Sequence, residues 1–200
     1  MAPEEARRIL AAADLIIPAD AIQAALERLA QEIGARLQNA NPLVLTVMGG
    51  AVVFAGQLLP RLAFPMECDY LHVTRYGDVT TGGELAWVVE PRTPVDGRIV
   101  LVLDDILDEG LTLAAVKRRL LEQGAAACYL AVLSEKDLGR EKPIAADFVG
   151  VRLPNRYVFG CGMDVMGAWR NLPAIYALKE TPRPEGSGLG PSGDALKEAR

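Results

Sequence analysis

Apolar residues recur along the chain with two different spacings, which predict alternating helices and strands. The first set is separated by three or four residues with charged residues between, the spacing of one helix face. Its members are Ile22, Leu26, Leu29, Ile33 and Leu37. Pro18 to Asp20 favour a helix start, and 39–42 break the pattern. An amphipathic helix is therefore predicted between these two points.

Short apolar runs bounded by turn residues predict strands. The predicted strands are 43–48, 68–74, 85–90, 99–103, 128–133, 148–151 and 157–159. Residues 52–59 and 113–122 have helical spacing and separate some of these runs. Strands that alternate with helices indicate an α/β fold with a mainly parallel central sheet flanked by helices.

A chain of 200 residues, half of them hydrophobic, can bury one sizeable core. Residues 1–40 are predicted to form an N-terminal helical segment and 41–180 the main α/β domain. Residues 181–200 are crowded with Pro and Gly and poor in apolar residues, so this tail is predicted to be disordered.

Charge and composition limit the classes of partner. The net charge is −5 and the pI about 5.0, which gives no general attraction to nucleic acid or to an anionic membrane. The three cysteines, Cys68, Cys128 and Cys161, are far apart and favour reduced core thiols. The single histidine, His72, is interpreted as a strand side chain. Glu4 and Glu5 precede any apolar run, unlike a signal peptide, so a cytoplasmic protein is expected.

Residues 99–113 combine a buried strand, two carboxylates and a turn that leads into a helix. Asp104 and Asp105 fall at the carboxyl end of the strand, where ligands of parallel sheets bind. Adjacent carboxylates can accept hydrogen bonds from a vicinal diol or hold the waters around a divalent cation. This end of the strand is therefore a candidate site for a ribose and a metal ion.

The turn at 108–112 precedes a helix predicted to begin near Leu113. Backbone N–H groups at a helix start converge on one point and bind phosphate. Gly110 permits a close approach or a positive φ, and the Thr112 hydroxyl can donate to phosphate or cap the helix. Asp-rich turns before helices often serve only as caps, and that alternative remains open for the turn taken alone.

The whole string from 99 to 113 resembles the signature of the type I phosphoribosyltransferases. Lys136, 156–160, Met163-Asp164 and 169–173 follow in an order similar to the purine end of the hypoxanthine-guanine enzymes. The resemblance covers 43–178 and implies the type I fold, with a mobile lid loop and a small hood. It makes 41–180 the phosphoribosyltransferase domain.

The resemblance implies a role for each matching residue. Asp104 and Asp105 would bind the ribose hydroxyls and the Mg²⁺ shell, and Asp108 would take the proton from purine N7. The groups that would cradle the 5′-phosphate are those of Asp108, Glu109, Gly110, Leu111 and Thr112.

Five residues are implied at the purine and pyrophosphate. Lys136 would donate to the purine 6-oxygen, Tyr157 would stack on the base, and Val158 would offer backbone groups. Asp164 would border the purine and support a second metal position, and Arg170 would pair with pyrophosphate. Taken singly, Lys136 and Arg170 could be solvated surface charges and Tyr157 a core residue.

Two positions depart from the family pattern. Gly49 stands where the pyrophosphate loop often has Lys, so Gly49 and Gly50 would bind through backbone donors only. Glu109 and Leu111 replace small or polar residues beside the phosphate, and Glu109 is expected to point outward because a second anion would repel the ligand. Residues 74–84, with Arg75 and Tyr76, resemble the lid; an ordinary exposed hairpin is the alternative.

The implied reaction is Mg²⁺-dependent transfer from 5-phosphoribosyl 1-pyrophosphate to hypoxanthine or guanine, giving IMP or GMP. Xanthine is the nearest competing base, and a homodimer or homotetramer is the implied assembly. A non-catalytic regulator of the same fold, binding the donor or a nucleotide and acting on RNA or DNA, is the alternative class. The acidic composition argues against it.

Overall fold

The computed structural model describes residues 1–75 and 85–179, which form two β-sheets and four α-helices. The helices are α1 (Pro3–Ala12), α2 (Ala19–Leu37), α3 (Val52–Leu58) and α4 (Leu111–Glu122), with a short 3₁₀ helix at Leu59–Arg61. The strands are β1 (Asp14–Ile17), β2 (Leu43–Met48), β3 (Glu67–Arg75), β4 (Leu85–Val89), β5 (Ile99–Leu107), β6 (Ala127–Lys136), β7 (Phe148–Leu153), β8 (Val158–Phe159) and β9 (Ile175–Ala177).

The larger sheet has the strand order β4-β3-β2-β5-β6-β7. All neighbouring strands in it are parallel except β4, which runs antiparallel to β3. Strand β5 is central, and its residues alternate between the two faces of the sheet. Leu101 and Leu103 pack in the apolar cluster that contains α2 and α3, whereas Val100 and Val102 pack with α4. The mainly parallel sheet flanked by helices confirms the predicted fold class.

A small antiparallel sheet with the order β1-β9-β8 lies apart from the main sheet. Its strand β1 belongs to residues 1–40, which were predicted as helical and which also form α1 and α2. Strands β1 and β9 were both missed. They have four and three residues, too few for a periodic pattern, and each becomes a strand by pairing with a distant part of the chain.

Several predicted boundaries shift by a few residues. Helix α4 begins at Leu111 rather than near Leu113, because the turn is complete at Gly110, whose φ is +80°. Strand β5 extends four residues beyond its predicted end at Leu103, so Asp104 and Asp105 lie within the strand rather than at its end. Strand β6 extends three residues beyond the predicted end at Leu133, so Lys136 closes the strand rather than following it. The predicted lid at 74–84 lies outside the described residues, Tyr76 included, except that Thr74 and Arg75 end β3. The predicted tail at 181–200 lies outside them entirely.

The cysteine prediction holds for two of the three residues. Cys128 and Cys161 are buried and Cys68 is exposed, so Cys68 is not a core thiol; all three are free. Burial raises the pKa of both Cys128 and Cys161 to about 11, which keeps their thiols protonated and unreactive. His72 lies in β3, as predicted. No helix in the described ranges has the length and apolar character needed to cross a membrane.

Candidate active site

Two adjoining cavities open at the carboxyl ends of β5 and β6. The first, of about 320 Å³, is lined by 104–110 together with Thr112 and Leu113. The second, of about 250 Å³, lies between this edge and the segment that follows β8. It is lined by Asp105, Ile106, Asp108, Lys136, Tyr157, Val158, Met163, Asp164 and Arg170. Asp105, Ile106 and Asp108 line both cavities, so a molecule with two linked parts could occupy them together.

The turn after β5 has the form of an anion site. Gly110 is buried, adopts the left-handed conformation and immediately precedes α4, so the positive end of the helix dipole lies directly after the end of β5. A side chain at Gly110 would also lie 3.1 Å from Ile144. Leu111 is 46% exposed, and Thr112 lies in the first helical turn.

Glu109 lies in the lining of the first cavity and carries a negative charge beside the turn. Its carboxylate is exposed and accepts a hydrogen bond from the Arg140 guanidinium. The ion pair offsets part of the negative charge of Glu109, which weakens the repulsion that a second anion beside the turn would cause.

Asp104 and Asp105 form a tightly coupled pair. Asp105 is 8% exposed, and its backbone N–H donates to Asp104 Oδ1 at 3.0 Å. Burial, reinforced by the negative charge of Asp105, raises the pKa of Asp104 well above its usual value. Burial also raises the pKa of Asp105, although the hydrogen bond with Asp104 and the positive charge of Arg170 oppose this.

These raised pKa values predict that Asp104→Asn stabilises the protein at neutral pH. The folded state holds its protons more tightly than the unfolded chain, so the free energy of unfolding falls as pH rises from about 4 through the raised pKa values. Removing one charge should raise the free energy of unfolding at pH 7 by about 1 kcal/mol. Thermal unfolding between pH 4 and 8 measures this; a gain that does not shrink toward pH 4 would contradict the explanation.

A divalent cation fits this carboxylate pair. The two adjacent carboxylates have raised pKa values, because burial disfavours both negative charges and the charge of Asp105 repels that of Asp104. A hard cation bound to their oxygens would offset both charges. Among the described residues there is no group of three or more His, Cys, Asp or Glu that could hold a metal ion. The pair therefore suits a cation such as Mg²⁺, which usually keeps several waters and takes further oxygen ligands from a bound phosphate.

Two glycines let the loop after β2 reach Asp105. A side chain at Gly50 would lie 2.0 Å from Asp105 Oδ2, and one at Gly162 would lie 2.2 Å from the Gly50 carbonyl oxygen. Gly162 has a φ of +108°. By contrast, a side chain at Gly49 would meet no atom within 4 Å, so the position where the family often has Lys is open space here. The Met48–Gly49 peptide bond is cis.

Lys136 and Asp108 form an ion pair at the ends of neighbouring strands. Lys136 Nζ donates to Asp108 Oδ2 at 2.6 Å, and the Lys136 side chain is only 12% exposed. The pair presents an N–H donor beside a carboxylate acceptor in the wall of the second cavity. Lys136 is therefore not a solvated surface charge.

Tyr157 and Val158 contribute the opposite wall. Tyr157 is 45% exposed, so it is not a core residue, and its hydroxyl donates to the Asp164 carbonyl oxygen at 3.3 Å. Burial and the negative charge of Asp164 raise the pKa of the Tyr157 phenol. Val158 is 7% exposed and begins β8. A flat ligand has an aromatic face to contact here.

Asp164 and Arg170 bind each other. Arg170 Nη2 lies 2.5 Å from Asp164 Oδ1, and Asp164 Oδ2 accepts from the Gly167 N–H at 2.7 Å. Arg170 Nη1 also donates to the Gly162 carbonyl oxygen at 2.6 Å. These contacts use part of the hydrogen-bonding capacity of the two side chains, and the predicted pyrophosphate and second-metal roles would draw on the remainder.

Further residues at the site were not predicted. Ile106 and Met163 line the second cavity, and the buried Ser134 hydroxyl donates to the Asp105 carbonyl oxygen at 2.9 Å. The sequence carried a signal for Ile106: side chains alternate along a strand, so the residue between the buried Asp105 and Leu107 faces the other way. Nothing local to Ser134 indicated its contact.

Comparisons with known proteins agree with this geometry. Residues 16–165 match the family model described as the phosphoribosyl transferase domain. The hypoxanthine-guanine phosphoribosyltransferase of Bacillus subtilis is 34% identical over 166 residues, which cover 82% of this chain and 92% of that protein. A solved hypoxanthine-guanine-xanthine phosphoribosyltransferase superposes with a TM-score of 0.75 at 33% identity, covering 83% of this chain and 96% of that one.

Some relatives are much longer. The bifunctional protein TilS/HprT of Listeria innocua is 36% identical over 166 residues, covering 82% of this chain. The matched region spans only 26% of that protein.

Proposed function

Because the chain belongs to the phosphoribosyl transferase domain family, we propose that it is a hypoxanthine-guanine phosphoribosyltransferase of purine salvage. It would convert hypoxanthine or guanine and 5-phosphoribosyl 1-pyrophosphate to IMP or GMP and pyrophosphate. The observation that carries the proposal is the pair of cavities that share Asp105 and Asp108. One has a phosphate-binding helix start and the other a donor–acceptor pair with an aromatic wall, as a sugar phosphate joined to a purine requires.

The donor would occupy the first cavity. The N–H groups at the start of α4, from Gly110 to Thr112, would bind the 5′-phosphate, and Asp104 and Asp105 would accept hydrogen bonds from the ribose hydroxyls. Gly49 and Gly50 would offer backbone N–H groups to the pyrophosphate, and Arg170 would pair with it through guanidinium N–H groups that its contacts with Asp164 and Gly162 leave over. Mg²⁺, held through Asp104 and Asp105, and at a second position through Asp164, would offset the negative charge of the leaving pyrophosphate.

The base would occupy the second cavity. A 6-oxopurine protonated at N7 places an acceptor, the 6-oxygen, beside a donor. Lys136 and Asp108 present the complementary donor and acceptor at a separation of 2.6 Å. Asp108 would take the N7 proton as N9 bonds to C1 of the ribose and the bond from C1 to pyrophosphate breaks. Tyr157 would contact the face of the base and Val158 its edge.

Selection against 6-aminopurines follows from the ammonium of Lys136. An ammonium has no acceptor capacity, so a 6-amino group placed against it leaves two donors facing each other. A charged hydrogen bond that is lost in a desolvated site costs about 1.5–3 kcal/mol, or roughly 10- to 150-fold in affinity. The preference between hypoxanthine, guanine and xanthine depends on the far edge of the base, where the described side chains give no comparable contrast.

Lys136→Ala is expected to relax this discrimination. The value of kcat/KM for hypoxanthine should fall about 10- to 100-fold because the charged hydrogen bond is lost, while the value for adenine stays unchanged or rises. Steady-state kinetics with each base measures the ratio. Lys117→Ala is the matched control. The Lys117 ammonium lies 3.7 Å from the Asp147 carboxylate, and Lys117 lines neither of the two cavities. An unchanged hypoxanthine-to-adenine ratio would remove Lys136 from base recognition.

The test of the function is nucleotide formation from 5-phosphoribosyl 1-pyrophosphate and each of hypoxanthine, guanine, xanthine and adenine, with and without Mg²⁺. Mg²⁺-dependent turnover of hypoxanthine or guanine, lost in Asp108→Asn, is the expected result. Donor binding without turnover of any base would refute the enzymatic function. The regulatory alternative has no support in the comparisons, since the named relatives are phosphoribosyltransferases or contain one.

Location and assembly belong to the same proposal. A cytoplasmic location is supported by the three free cysteines, which are typical of a reducing compartment. A homodimer or homotetramer is what the resemblance implies. Size-exclusion chromatography with light scattering distinguishes these two states from a monomer.

A further inference from the structure

Lys142 is a partly buried lysine outside the set of residues assigned above. It lies in the loop between β6 and β7, and its side chain is only 8% exposed. Burying an ammonium is unfavourable unless each of its three N–H donors finds an acceptor. Lys142 Nζ has three: the Leu107 carbonyl oxygen at 3.0 Å, the Lys136 carbonyl oxygen at 2.5 Å and Glu135 Oε1 at 3.3 Å.

Two of these acceptors are the last backbone carbonyls of the strands that carry the base-recognition pair. Leu107 ends β5 directly before Asp108, and Lys136 ends β6. The parallel pairing of β5 and β6 stops at Leu107 and Glu135. Beyond that point Asp108 and Lys136 have no backbone ladder between them, and the Lys142 ammonium bridges the two strands instead.

The third acceptor holds Lys142 in place. The Glu135 side chain is 15% exposed and forms ion pairs with both Lys142 and Arg152. The Arg152 guanidinium lies 3.2 Å from Oε2 of Glu135. Arg152 is 74% exposed and touches neither strand-end carbonyl through any contact that the structure gives it. The two cations on Glu135 therefore differ in exposure and in their contacts with the strand ends: among the contacts of the described residues, Lys142 joins the two carbonyls and Arg152 joins neither.

We propose that Lys142 is a positioning residue that fixes the separation and orientation of Lys136 and Asp108 by bridging the ends of β5 and β6. The inference rests on the proposed function for its kinetic consequence. Shifting either strand end by about 1 Å would move the donor and the acceptor out of register with a 6-oxopurine, an error that can cost about 100-fold in rate.

The kinetic test compares Lys142→Met with Arg152→Met. Methionine keeps the length and apolar stem of lysine but has no donor. In Lys142→Met we expect kcat/KM for hypoxanthine to fall at least tenfold, the KM for the base to rise more than the KM for 5-phosphoribosyl 1-pyrophosphate, and the hypoxanthine-to-adenine ratio to drop. Arg152→Met should remain within twofold of the parent protein in all three. If both variants behave alike, or if Lys142→Met changes both KM values equally, the inference is wrong.

Two further measurements keep the inference separate from stability and from the proposed function. If Lys142→Met does not fold, as judged by circular dichroism, Lys142→Arg takes its place; it retains the charge in a planar fork, and the same loss of base discrimination is expected. If the parent protein turns over no base, the proposed function fails on its own. The inference is then decided by crystal structures of parent and variant: the Lys136–Asp108 separation should lengthen beyond hydrogen-bonding distance in the variant, and an unchanged pair refutes it.

Discussion

Asp108→Asn should lower kcat at least 100-fold while leaving the protein folded. A positioned carboxylate that accepts a proton in the transition state contributes about 100- to 10,000-fold, and the amide cannot accept that proton. The loss should appear in kcat more than in the KM for either substrate, because the amide oxygen still accepts a hydrogen bond from N7–H. Single-turnover measurements with hypoxanthine separate this chemical step from product release.

The fold should tolerate the change because the Asp108 side chain is 44% exposed. Its pair with Lys136 is partly screened by solvent, so the free energy of unfolding should change by no more than about 1 kcal/mol. Asp137→Asn is the matched control, because Asp137 directly follows the neighbouring strand β6 and lines neither of the two cavities. Its carboxylate accepts a hydrogen bond from the Gly139 N–H at 2.9 Å. A kcat within threefold of the parent value would show that another group takes the N7 proton.

Gly162→Ala should strongly destabilise the protein and disturb the site. The residue has a φ of +108°, and the new Cβ would lie 2.2 Å from the Gly50 carbonyl oxygen and 3.2 Å from the Asp105 Cβ. Backbone atoms cannot rotate away as a side chain can. We expect the free energy of unfolding to fall by about 3 kcal/mol or more, and the KM for 5-phosphoribosyl 1-pyrophosphate to rise as Gly50 and Asp105 are displaced.

Gly167→Ala separates the clash from the backbone conformation. Gly167 also has a positive φ, +83°, but a side chain there would meet no atom within 4 Å. Its substitution should cost about 1 kcal/mol, for the conformation alone. Urea unfolding of the two variants measures the difference. If the free energy of unfolding falls equally in the two variants, the close approach of Gly162 to Gly50 does not limit the residue at position 162.

The half of the site that we propose binds phosphate could be predicted as a structure because it is local in sequence. A buried strand, two carboxylates, a glycine and a helix start within 99–113 fix one another's geometry, and Gly110 adopts the positive φ that was allowed for it. The error of two residues at the start of α4 is of the size that turns produce, since Leu111 and Thr112 have no periodic partner that marks them as helical. That Glu109 points outward stays a prediction made from charge alone; its exposure and its pair with Arg140 are consistent with it.

The base half was predictable only as a set of residues. Lys136, Tyr157 and Asp164 line one cavity, but nothing in their spacing indicated that Lys136 would pair with Asp108 or Arg170 with Asp164. Such pairs depend on which strands become neighbours. Lys142 was missed for the same reason: a lysine in a polar loop is normally solvated, and its burial against two strand ends is a property of the tertiary structure.

Two of the three strands of the small sheet, β1 and β9, were not predicted, and the contacts of this sheet join distant parts of the chain. Arg156 and Asp14, paired across it at 2.6 Å, are separated by 142 residues, and Trp169 donates to the Ala6 carbonyl oxygen from 163 residues away. Closing loops of this length costs entropy that only an already formed core can offset. The phosphate turn closes within a few residues, so it can form with the central sheet. We therefore expect the wall formed by Tyr157 and Val158 to fold after the central sheet and to lose its contacts first when the chain opens.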